Sequence, residues 1–277
     1  MTGELAQLIN LITQYNCGQI ESDLYNNNST YQYCNILKFV CFKKKFFGGY
    51  KEVEIASSTN EWFQYLRDEK IERLLLVFRP DNSMDLDHKL AGMVCGGGNW
   101  FIEAKHSNFS DFWQPKWEVK PNKKDNDNRI WNITYGLTIP KQKHFNHPEY
   151  NLKSQREKLY KALTEIADFA ASNDNTSGWE KTFNNAKSAL EDISPSIEYH
   201  KDLVPVDSLP IENFQLLIAA SKSFVFGGMG SWNDIGWFKD EELTKKYDEV
   251  SAELYQVMNE SIIAAVNENK KRAKQGV

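Results

Sequence analysis

The order of hydrophobic periods along this chain predicts an α+β fold, with a mostly antiparallel β N-terminal half followed by a mostly α-helical C-terminal half. Three observations carry that prediction. Short runs rich in β-branched and aromatic residues, punctuated by Gly, Pro and Asn, fill the first half. From Leu152 onward apolar residues recur at helical spacing. The two kinds of segment are separated rather than alternating, which argues against a doubly wound nucleotide fold. The boundary this implies lies near residue 150, giving a mixed β-rich domain with an N-terminal helix over 1–150 and a helical domain or subdomain packed on it over 151–277.

Each element has a local reason. Thr2 can cap a short amphipathic helix whose face is Leu5, Leu8, Ile9, Leu11, Ile12 and Tyr15. The polar run Asn26 to Thr30 ends it. From Tyr31 to Phe47 the β-branched and aromatic content rises, and Lys43 to Ile55 reads as two strands joined at Gly48-Gly49. Thr59 is placed to cap a helix through Trp62, Phe63, Leu66 and Arg67. Ile71 to Phe78 reads as a buried strand ending at Arg79-Pro80, Ala91 to Cys95 as a further strand, and Gly96-Gly97-Gly98 as a tight turn before Trp100. Arg129 to Ile139 alternates as a strand and stops at Pro140. In the second half, Leu152 to Ala170, Trp179 to Leu190 and Phe214 to Ala219 read as helices. Asp240 caps a last, long helix with its apolar stripe on Leu243, Tyr247, Val250, Leu254, Val257, Ile262 and Ala265. Glu241 and Glu242 suit its positive end and Lys270, Lys271, Arg272 and Lys274 its negative end.

Composition narrows the function classes. The net charge of -5 provides no global basic field for nucleic acid or anionic lipid. Cys17, Cys34, Cys41 and Cys95 form no CxxC pair and no metal rhythm with histidine, so reduced thiols in a cytoplasmic protein are expected. No signal peptide and no membrane-spanning run is read. Gly96-Gly97-Gly98 lacks the residues of a phosphate-binding loop, and no nucleophile elbow appears. No cofactor is expected.

Four stretches are candidates for chemistry or binding. The Gly- and Trp-rich corner from Phe224 to Phe238 is either an interhelical turn packed for its own sake or a binding corner that presents Trp232, Asn233, Asp234 and Trp237. Phe42 to Lys51 interleaves cations with aromatics, notably Lys44, Lys45, Phe47 and Tyr50. That is the composition of a single-strand nucleic-acid platform, of an edge hairpin guarded by lysines, or of a patch for an acidic partner. Asp85-Leu86-Asp87-His88 and the His144 to Glu149 run, with His144 and His147, gather donors that suit divalent metals without matching a metal-site pattern. No metal is therefore assigned to either.

The corner and final helix, FVFGGMGSWND at 224–234 and YDEVSAELYQVMNESIIAAVN at 247–267, resemble the C-terminal part of soluble bacterial proteins that look like immunity proteins of interbacterial toxin systems. The resemblance brings no functional residues with it. What it implies is a cytosolic binding protein that neutralises a cognate toxin by occluding its active site, with a protein partner, no membrane partner, and nucleic acid not expected. The alternative is a hydrolase-type enzyme using dispersed carboxylates and histidines, with Asp85, Asp87, His88 and the Gly/Trp corner as first candidates. A third reading, a nucleic-acid accessory protein acting through Phe42 to Lys51, would show a steep salt dependence.

Overall fold

The computed structural model describes residues 1–18, 28–45, 48–80, 88–91, 97–120, 128–143, 148–196, 200–235 and 238–268. Among them the first half contributes helix α1 (Gly3–Cys17), strands β1 (Cys34–Lys44) and β2 (Tyr50–Ala56), helix α2 (Thr59–Asp68), and strands β3 (Arg73–Arg79), β4 (Asn99–Lys105), β5 (Ser110–Val119) and β6 (Trp131–Gln142). The second half contributes helices α3 (Leu152–Ala171), α4 (Glu180–Ser188), α5 (Ile211–Lys222) and α6 (Glu241–Asn267). The fold is α+β.

One six-stranded sheet holds the strands in the order β2-β1-β6-β5-β4-β3. β3 to β6 form an antiparallel meander, and the β1–β2 hairpin joins it through a parallel β1–β6 pairing, with Phe39 opposite Tyr135. β6 runs through Pro140, beyond the predicted stop. Its pairing with β1 ends at Leu137, so the N–H that proline lacks is not needed there. Pro115 sits inside β5 for the same reason, because β4 pairs with β5 only as far as Trp113.

Caps follow the sequence closely. Thr2 Oγ1 accepts from Leu5 N at 3.2 Å, and Asp240 Oδ1 accepts from Glu242 N at 2.8 Å and Leu243 N at 3.2 Å. The α2 cap is displaced by one residue. Ser58, not Thr59, accepts from Glu61 N, and Glu61 returns to the Ser57 amide. The predicted strand over 91–95 lies outside the described residues beyond Ala91, as do the basic residues 270–274. Gly97 and Gly98 do form a turn. At Gly98, φ is +101° and an added Cβ would lie 2.4 Å from Phe78 Cζ, so both backbone and space require glycine.

α1 departs most from expectation. It is not a one-sided surface helix: every residue from Leu5 to Tyr15 is buried. Its polar residues are satisfied by distant segments. Asn10 donates to the carbonyls of Asp202 and Leu203 and accepts from the Tyr31 hydroxyl. Gln7 donates to Thr30 O and accepts from Tyr135 Oη. Around α1 a single cluster of buried apolar residues runs from Leu5 to Val266, so the change of character near residue 150 does not interrupt the core. Phe39 stacks on Trp62 at 4.3 Å and on Tyr135 at 5.1 Å. On the opposite face of the sheet, Val77, Phe101 and Phe112 form a smaller cluster, with the Arg79 guanidinium 5.2 and 5.1 Å from the two rings.

The free edge of β3 is closed by two asparagine amides. Asn16, near the end of α1, accepts from Leu74 N at 3.0 Å and donates to Leu74 O at 2.8 Å. Asn267, the last residue of α6, does the same for Leu76, at 2.8 and 2.9 Å. Each amide imitates the neighbouring strand that the edge lacks. Together they fasten both ends of the described chain to the sheet.

Candidate functional site

The hairpin and the corner come out differently. In the hairpin, Phe42 lies opposite Glu52 and Lys44 opposite Tyr50, so these four side chains share one face. Phe42 is 45% exposed and Tyr50 68%. The inner edge of the Phe42 ring rests on β6, where a Cβ on Gly136 would lie 3.1 Å from it. On the other face Lys43 stands directly opposite Lys51, a like-charge pair that disfavours the hairpin in isolation. Lys44 and Lys45 are both exposed. Phe47 lies outside the described residues. β2 is an edge strand, and Lys51 on it also opposes strand addition.

At the corner, Trp232 is fully buried, and its Nε1 donates to Ser251 Oγ at 2.7 Å. It stacks on Tyr247 at 5.1 Å and meets the edges of Phe183, Trp179 and Phe169. This ring joins α3, α4 and α6; it does not face a partner. Asn233 Nδ2 donates to His88 O at 2.8 Å. Asp234 is exposed but accepts from the Gly230 amide, so it too closes the turn. Trp237 lies outside the described residues. Of Trp232, Asn233 and Asp234 only Asp234 is exposed, beside the exposed turn residues Gly228, Met229 and Gly230.

The metal-like stretches gather little. Asp85, Asp87, His144 and His147 lie outside the described residues. His88 is buried with its ring against Phe226, at 6.2 Å. A histidine–carboxylate pair that the sequence reading missed lies at the β4–β5 turn, where His106 Nε2 is 3.1 Å from Asp111 Oδ2. His106 also stacks on Phe109 at 3.9 Å, and Asp111 Oδ1 accepts from Lys141 N. These bonds tie the β4–β5 turn to the end of β6, and neither residue borders a cavity described here.

The structure also shows a cleft that no local motif announces. It lies where the start of α1, the turn at Ser29–Tyr31, the open end of the sheet and the segment at His200 converge. A cavity of about 330 Å³ is bordered by Glu4, Thr30, Trp117, Trp131 and their neighbours. A second, of about 880 Å³, continues past Trp179, Asn185, Lys201, Lys222 and Phe224. Ser29, Tyr33 and His200 border both. Trp117 and Trp131 meet edge to face at 5.6 Å, and Tyr33 at the rim is half exposed. Behind them Cys34 is buried, its thiol pushed up to about 11 by that burial.

His200 and Glu4, which also border the cleft, are displaced in their titration too. His200 is held below the usual imidazole range by burial first, and then by the neighbouring N-terminal ammonium. Burial pushes the Glu4 carboxyl from 4.5 to about 7, because the charged form loses water. Between these values the folded chain keeps a proton that the unfolded chain has released, so stability falls as pH rises from about 4.5 to about 7. Glu4→Gln removes that dependence. The variant is expected to unfold at a higher urea concentration than the wild type at pH 8 and at the same concentration at pH 4; a lower midpoint at pH 8 would contradict the assignment.

Compared with known protein families, curated proteins and solved structures, the chain matches none. Among the described residues no helix is long and apolar enough to cross a membrane.

Proposed function

We propose that this is a binding protein of immunity type that neutralises a cognate bacterial toxin by covering its active site, and that the β1–β2 hairpin makes the first contact. The observation that carries the reading is the exposure of Phe42 and Tyr50, 45% and 68%, on a hairpin that also presents Lys43, Lys44, Lys45 and Lys51. Exposed aromatics with cations around them are the composition of an interface anchor. The opposed Lys43 and Lys51 leave a repulsion that carboxylates of a partner relieve, which makes the partner's contact surface acidic. The chain as a whole, with its net charge of -5, does not extend this basic patch into a track for nucleic acid.

The test uses the full chain as bait in extracts of the cells that produce it, with Tyr50→Ala and Lys44→Glu as variants. Both positions are exposed, so the variants are expected to fold as the wild type does. One protein captured by the wild type should bind each variant at least about ten-fold more weakly, a loss of about 1.4 kcal/mol or more. Its affinity should also fall as salt is raised. Equal capture by wild type and variants would remove the hairpin from the interface, and capture of nucleic acid alone would favour the accessory-protein reading.

A further inference from the structure

Three features of the cleft narrow what it holds. The smaller cavity has an aromatic wall, with Trp117 and Trp131 at 5.6 Å and 65° and Tyr33 at the rim. Such faces accept a flat ring.

Four polar side-chain atoms that border that cavity lack partners. Thr30 is 7% exposed, and its Oγ1 has no hydrogen bond; Ser29 Oγ, Trp117 Nε1 and His200 Nδ1 are buried in the same state. A buried polar group left unmet is costly, and four of them border one cavity. Rotation about χ1 turns the Ser29 or Thr30 hydroxyl toward a ligand without moving backbone, and Trp117 Nε1 needs an acceptor.

The larger cavity adds charge. Lys201 and Lys222 border it, and neither is ion-paired with a described residue. Both volumes, about 330 and 880 Å³, suit small ligands.

We propose that this cleft binds a planar heteroaromatic anion of the nucleotide class, its ring against Trp117, Trp131 and Tyr33 and its phosphate at Lys201 and Lys222. Ser29 and His200, which border both cavities, lie where the sugar of such a ligand passes from one to the other. Ring nitrogens and exocyclic groups provide the donors and acceptors that the Thr30 and Trp117 side chains lack. Glu4, raised to about 7, keeps much of its proton near neutrality and so offers a donor where a carboxylate would repel the anion.

The test is titration of the full chain with AMP, GMP, CMP and UMP, followed by tryptophan fluorescence and calorimetry, with the matching nucleosides and inorganic phosphate alongside. At least one nucleotide is expected to bind saturably with a Kd of about 1–100 μM. A Lys201→Glu, Lys222→Glu double variant should weaken that nucleotide about ten-fold and leave its nucleoside unchanged. Trp117→Leu should weaken both. Because the double variant alters no core residue, it keeps the test valid if Trp117→Leu fails to fold. No saturable binding of any nucleotide up to millimolar concentration overturns the proposal, as does an affinity unmoved by the charge reversals. Inorganic phosphate binding as tightly as the nucleotide overturns the role of the aromatic wall. The hairpin variants should bind the nucleotide as the wild type does, which separates this site from the partner interface.

Discussion

Trp232→Ala is expected to destabilise the fold by about 4 kcal/mol, the cost of emptying a large, fully buried aromatic site. The ring is 0% exposed and touches four others, from Phe169, Trp179, Phe183 and Tyr247. Those rings come from three separate helical segments, so no one of them can close the gap alone. Removing the indole also takes away the donor to Ser251 Oγ, at 2.7 Å, and leaves that buried hydroxyl short of a bond. Tyr247 still donates to the Trp232 carbonyl, at 2.5 Å, since that bond uses the backbone. Trp232→Phe should therefore cost less, about 2 kcal/mol, because it keeps much of the volume and loses the N–H. Urea unfolding of the three proteins checks both figures. A loss below about 1 kcal/mol in Trp232→Ala would mean that the corner is not an anchor of the helical layer.

The second large effect is expected at the edge of β3. Asn267→Ala leaves the Leu76 amide and carbonyl without the partners they meet at 2.8 and 2.9 Å. It also frees the end of α6 from the sheet, although the Arg73 guanidinium still donates to the Asn267 carbonyl. The expected loss is about 2–3 kcal/mol, since the two backbone groups are only partly shielded and water replaces some of the bonding. Asn267→Asp should fall between, because a carboxylate can still accept from Leu76 N–H and cannot donate to Leu76 O. An unpaired edge also invites strands of other molecules, so light scattering on warming should rise earlier in Asn267→Ala than in the wild type. Stability and scattering both unchanged would show that the amide does not guard the edge.

What was legible in the sequence was local. Thr2 and Asp240 announce their helices because an N-cap acts within three residues, and Gly48-Gly49 announces the hairpin for the same reason. The α2 cap was misplaced by one residue because two hydroxyls stand side by side; the Ser58-x-x-Glu61 spacing identifies the right one. The position of α1 was not legible. Gln7 and Asn10 look like the polar face of a surface helix until Thr30, Tyr135, Asp202 and Leu203 are brought beside them. The Asn16 and Asn267 amides are equally silent, since an isolated asparagine carries no sign of the strand it will pair with. The same holds for the cleft, whose border is drawn from α1, the Ser29 turn, β5, β6 and the His200 segment. Such a site has no spacing to read. At the corner, Trp232 is fixed in a turn as the sequence suggests, but the choice between packing and binding depends on which way its ring points.

Neutralisation is measured most directly by growth. The protein captured by the hairpin should arrest bacterial growth when produced alone. Growth should return when this chain is produced with it, and return less well with Tyr50→Ala or Lys44→Glu. A captured protein that is harmless on its own, or one whose toxicity is unchanged by this chain, would contradict the account.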